Sequence, residues 1–160
     1  MGLYVFKPQF WAYVVDGSKR HTIRCPRRSP DSPGKVMHLF GNGRRPDQFL
    51  LMRATCRTVK PIILDFDFIE LGGVRLSRDE RDGLAWADGF RPPKSTRGNP
   101  GPAFELMAGF WRASLLPLVA TINYWEYPPL EFGDRSEVKR QLAAIGAAAP
   151  KKAKNDCGRA

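Results

Sequence analysis

Residues 3–6, Leu-Tyr-Val-Phe, carry the alternation of a short strand. After Pro8 the apolar positions change to helical spacing, Phe10, Trp11, Val14 and Val15, and the pattern stops at Asp16-Gly17, where the glycine fits a helix C-cap. Residues 22–25 then read as an extended segment bounded by Pro26, and residues 27–34 as a loop rich in Pro, Ser and Gly. Two alternating runs, residues 36–40 and 49–59, flank the turn Gly41-Asn42-Gly43 and predict a pair of strands. A further strand is predicted over residues 62–71, after which Gly72-Gly73 turns the chain toward Ser77.

Ser77-Arg78-Asp79-Glu80 spells a capping box, in which the serine hydroxyl and the glutamate carboxylate each satisfy a backbone amide at a helix start. A helix is predicted from there to about residue 87. Residues 91–102 hold four prolines and two glycines and predict a loop. A second amphipathic helix is predicted over residues 103–115, with Phe104, Met107, Phe110 and Trp111 assigned to the core, and residues 119–127 return as a strand stopped by Pro128-Pro129. Short strands with two or three interspersed helices, and no strict alternation of the two, define an α+β domain around a small curved sheet or barrel.

The chain has 160 residues, enough for one domain with a real core, and the expected division is a domain over residues 1–130 followed by a peripheral helix (residues 136–149) and a basic, disordered tail within residues 131–160. No apolar run approaches the roughly 20 residues needed to cross a bilayer. The first residues lack the features of a secretory signal, so the expected address is cytoplasmic, with no membrane association. Three scattered cysteines and two histidines make neither a disulfide framework nor a metal site. No cofactor, metal or obligate protein partner is expected.

Charge changes the picture most. The formal net charge is +10, and residues 19–60 hold eleven Lys/Arg against Asp31 and Asp47, a local excess of +9. An excess concentrated in one segment suits a polyanion-binding face. Arg20, Arg24, Arg27, Arg28, Arg44 and Arg45 are its candidate ligand-binding residues, and a solvated basic surface is the alternative.

Gly17-Ser-Lys19-Arg-His-Thr22-Ile23-Arg24 resembles the GxKxxTIR signature of ASCH-domain proteins, relatives of PUA domains. Four further segments look like that family in the same order: Phe6-Lys-Pro8-Gln-Phe10, Pro33-Gly34-Lys35-Val36, residues 84–90, and Phe110-Trp111 followed by Ile122-Asn-Tyr-Trp125. The resemblance spans roughly residues 3–127 and implies a PUA-like pseudo-barrel with flanking helices. It also implies a cleft for RNA or a modified nucleoside between the signature strand and an acidic residue near position 88. One branch of the family hydrolyses the acyl amide of N4-acetylcytidine with the Lys and Thr of the signature and a Glu of the acidic segment. On this chain those positions fall on Lys19, Thr22 and Asp88, so an Asp, one methylene shorter, stands where that branch has Glu.

Amide hydrolysis needs a nucleophile, a base and an oxyanion holder. Lys19, with a pKa depressed by burial and by Arg20 and Arg24, would activate the Thr22 hydroxyl, and Asp88 would shuttle the proton or orient a water. Read without catalysis, Lys19 and Arg24 grip a phosphate and Thr22 is an ordinary strand residue. Trp86 and Phe90 are candidates to stack on a base, or to be core residues. If Thr22 faces the cleft, alternation turns His21 away; His21 and His38 read as structural or surface residues rather than catalytic ones. The sequence therefore leaves open a hydrolase of an N4-acylated cytidine, a non-catalytic RNA-binding module and a single-stranded RNA nuclease.

Overall fold

The computed structural model describes residues 2–43, 46, 48–92, 102–111, 116–126 and 143. In chain order these form β1 (Gly2–Phe6), α1 (Pro8–Val15), β2 (His21–Arg24), β3 (Val36–Gly41), β4 (Phe49–Leu64), β5 (Ile69–Leu71), β6 (Val74–Arg75), α2 (Arg78–Ala87), α3 (Ala103–Trp111) and β7 (Leu118–Glu126). The architecture is mixed α+β, with one seven-stranded sheet and three helices among the described residues. None of these helices is long and apolar enough to cross a membrane. The predicted helix over residues 136–149, apart from residue 143, and the basic tail lie outside the described residues, as do Arg44, Arg45 and residues 93–101 of the proline-rich stretch.

β4 organises the sheet. One of its edges takes β3 along residues 49–55 and then β5 along residues 62–64. The other edge takes β7 along residues 55–64, and β7 in turn carries β2. β1 joins parallel to β3 at the far side. The expectation of separate strands over residues 49–59 and 62–71 is corrected here: residues 49–64 are one 16-residue strand, and residues 69–71 form a second, three-residue strand that doubles back on it. Pro61 does not break β4, for a local reason. The N and O of one strand residue face the same edge, and Pro61 O accepts from Gly72 N, just past the end of β5. The missing proline donor therefore falls where that neighbour has run out, and the β7 edge keeps its register through Pro61↔Thr121.

The helices start and stop as their sequences dictate. Pro8 opens α1, and Asp16 and Gly17 close it, with Gly17 at φ +79° and Ser18 N donating to Asp16 Oδ1 at 2.8 Å. At α2, Glu80 N donates to Ser77 Oγ while Ser77 N donates to Glu80 Oε2, which is the reciprocal box read in the sequence. Ser77→Ala is expected to lower stability by about 1 kcal/mol, seen as a drop of about 4 °C in Tm. An unchanged thermal transition would show that α2 does not depend on its cap. α1 packs on β1 and β4, and α2 packs on α3. The core gathers Tyr4, Val14, Ile23, Met37, Leu39, Ile62, Leu64, Met107, Ile122 and Trp125, all essentially inaccessible. Phe104 and Met107 are buried as the helical pattern requires, whereas Phe110 and Trp111 are only half-buried, a correction to their assignment as core. They are the last described residues of α3, since residues 112–115 of the predicted helix lie outside the described residues, and both line a cleft.

Candidate functional site

The cleft has a volume of about 350 Å³, in the range of small-ligand sites. Two chain reversals meet in it. At the first, the turn after α1 is pinned by Lys19 N donating to Tyr13 O at 2.8 Å, which sends the Lys19 side chain inward just before β2. At the second, α2 ends on Asp88 as its C-cap, and Gly89 follows at φ +94°. A side chain at position 89 is excluded twice: by that φ, and because a Cβ would lie 2.9 Å from Phe10 Cδ1 and 3.1 Å from Tyr13 Cδ2.

Lys19 Nζ donates to both the backbone carbonyl and the carboxylate of Asp88, across 69 residues of sequence. Both side chains are almost fully buried, at 1% and 5% exposure. A cation at a helix C-terminus is electrostatically favourable, so the pair also caps α2. The ammonium stands 5.0 Å from the Phe10 ring centroid and 5.7 Å from that of Phe6. Burial pushes the Lys19 pKa below the ordinary lysine value, and the Asp88 charge and hydrogen bond oppose that shift.

Thr22 is buried, lines the cleft and pairs in register with Asn123 of β7. His21 does not line the cleft. It lies behind the pair, with Nε2 3.7 Å from Asp88 Oδ1, its ring 5.2 Å from that of Tyr124 and a hydrogen bond to the Leu84 backbone. Burial drives its pKa down to about 4, so the ring is neutral at pH 7.

The arginines divide. Arg24 lines the cleft, donates from Nη2 to Val5 O at 2.8 Å, and lies 5.3 Å from the Phe6 centroid; its Nε is buried with no partner. Arg27 donates to Leu3 O at 2.8 Å and stands 3.8 Å from Asp31, which also accepts from the Tyr4 hydroxyl. Lys35 reaches the same carboxylate at 3.6 Å. Arg20 Nε donates to Gly17 O at 3.1 Å. Arg24, Arg27 and, through Asp31, Lys35 thus tie β1 to its neighbouring loops, three of the eleven basic residues that the sequence concentrates in residues 19–60. Arg28 is exposed.

Phe90 is buried and forms one wall, meeting Phe10 at 5.2 Å and Phe110 at 5.3 Å between centroids. Trp86 is 44% exposed and outside the lining. Sequence reasoning missed Lys7, whose Nζ lies 4.4 Å from the Phe110 centroid, and missed the roles of Phe10, Phe110 and Trp111 as walls. A half-apolar helix end carrying adjacent Phe and Trp was the available signal. The Trp111 indole N–H is buried and unpartnered, so the cleft offers donors to a ligand that brings acceptors. Among the described residues no three His, Cys, Asp or Glu side chains cluster as metal ligands. Compared with family models, with curated proteins and with solved structures, the chain matches none.

Proposed function

We propose that this chain is an ASCH-type, PUA-like domain that binds RNA or a modified nucleoside and hydrolyses the acyl amide of an N4-acetylcytidine-like group. The observation that carries the reading is the buried Lys19–Asp88 pair at the foot of a nucleoside-sized cleft lined by Thr22 and Arg24. Burial lowers the Lys19 pKa, the direction that makes its amine available as a base. Thr22 Oγ1 attacks the acyl carbon as its proton passes to Lys19. The oxyanion faces the donors of Arg24. Collapse expels the exocyclic amine, which takes the proton back from Lys19, and leaves an acyl ester on Thr22. Water, deprotonated by Lys19 while Asp88 holds that side chain in place, then adds to the ester carbon, and as the bond to Thr22 Oγ1 breaks Lys19 returns the proton to that oxygen and the carboxylic acid leaves. Phe10, Phe90 and Phe110 supply the apolar walls against which a pyrimidine packs.

The competing reading is a binder in which Lys19 is purely a helix cap, favoured by its two bonds to Asp88. Turnover of N4-acetylcytidine, followed by chromatography of released cytidine, separates them. Thr22→Ala and Lys19→Ala are each expected to lower kcat/KM by at least about 100-fold. No release by the wild-type protein, together with salt-sensitive binding to single-stranded RNA, would replace the hydrolase with the binding module.

A further inference from the structure

Behind the wall formed by Phe90 and Phe110 lies a second compartment of about 250 Å³, which those two rings share with the cleft. Its remaining lining includes Gln9, Tyr13, Gly89 and Arg91. The Arg91 guanidinium lies 4.1 Å from the Tyr13 centroid and 5.4 Å from that of the exposed Trp86. Its Nε is buried without a hydrogen-bond partner, and among the described residues no carboxylate pairs with it. A cation held against two aromatic faces, with a desolvated donor left over, suits an oxygen anion flanked by a flat π-system. A nucleotide has both. Tyr13 lies on α1, Trp86 on α2 and Phe110 on α3, while Phe90 and Arg91 directly follow the turn at Gly89, so the compartment adjoins the Asp88 cap of α2.

We infer that this compartment holds the phosphate and base of the nucleotide adjoining the one in the cleft, so that the substrate is a single-stranded polynucleotide and not a free nucleoside. The inference rests on the proposed nucleoside-directed function and adds its substrate class. Stacking on an aromatic and one phosphate contact from an arginine are the two elements by which proteins hold single strands.

The test is the affinity of a fluorescein-labelled cytidine-centred pentaribonucleotide, measured beside that of free cytidine, for the wild-type protein, Arg91→Gln and Trp86→Ala. Wild type is expected to prefer the pentanucleotide by at least about tenfold, and each substitution to bring the ratio of the two affinities toward one. Arg91→Gln is also expected to reduce the salt slope of pentanucleotide binding by about one phosphate contact. Trp86 is half-exposed, so its truncation reports on stacking even where Arg91→Gln disturbs the packing on Tyr13. A ratio and salt slope unchanged in both variants, or a wild-type ratio of one, would overturn the inference. Because the readout is binding, absence of turnover counts against the hydrolase alone.

Discussion

Asp88→Ala is expected to lose about 3–5 kcal/mol of folding stability, the cost of stranding one partner of a buried ion pair. Lys19 is only 1% exposed, and the rings of Phe6 and Phe10 stand against its ammonium beside Asp88. After the substitution the amine must either lose its proton or draw water in from the cleft, while the carbonyl of residue 88 still accepts from it. The double variant Lys19→Met, Asp88→Leu removes both charges and fills the volume. It is expected to recover most of the loss, because a buried pair contributes little net stability over apolar residues of similar size. Urea denaturation of the two single variants and the double variant gives the coupling directly. Additive effects would mean that the pair is not coupled in the folded protein, and the site geometry described above would fail with it.

Acidification from about pH 6.5 to about pH 4 is expected to cost roughly 3 kcal/mol through His21 alone. The sign follows from the direction of the shift. In the unfolded chain the imidazole takes a proton near pH 6.5; in the folded protein burial withholds it until about pH 4. The unfolded state therefore binds more protons throughout that window, and stability falls as pH falls, with the full value present above it. The charges facing the ring are Asp88, which favours its protonation, and Lys19, which opposes it, and the Leu84 backbone also favours the protonated form. Burial, reinforced by Lys19, outweighs Asp88 and Leu84. His21→Gln is expected to flatten this part of the stability curve, measured as urea midpoints at intervals between pH 7 and pH 4. A variant whose curve keeps the wild-type slope would place the acid sensitivity elsewhere.

Local order was legible in the sequence wherever a short-range rule operated. Pro8, Asp16-Gly17 and the Ser77–Glu80 box set helix ends through bonds that span four residues or fewer, and the alternation over residues 36–40 gave β3 within one residue. What alternation does not carry is which partner a strand meets. The continuation of β4 through Pro61 depends on β5 ending opposite it, and the two-residue β6 exists by pairing with Glu70 and Leu71. The same limit applies to the site. Lys19, Thr22 and Asp88 stood out by resemblance to a motif, and the structure brings Lys19 and Asp88 into contact and places all three at one cleft. The engagement of Arg24 and Arg27 with Val5 and Leu3 carbonyls was not readable, since it depends on β1 lying beside those arginines in space. Charge clustered in sequence showed how much positive charge the segment holds. It did not show how much of it is already spoken for.

Among the described strands, β2 pairs with β7 alone. That strand is the last of the described elements, and none of its residues lines the cleft. During synthesis every lining residue, from Val5 to Trp111, has therefore been made before the strand that holds Thr22 and Arg24 in register exists. Pairing β2 with β7 must close a loop of about a hundred residues, an entropic cost met only when the rest of the sheet is there to receive β7 along β4. The register of Thr22 and Arg24 in the cleft thus depends on the last described strand, and a nascent chain carries the full set of the cleft's chemical groups without yet having the means to use them.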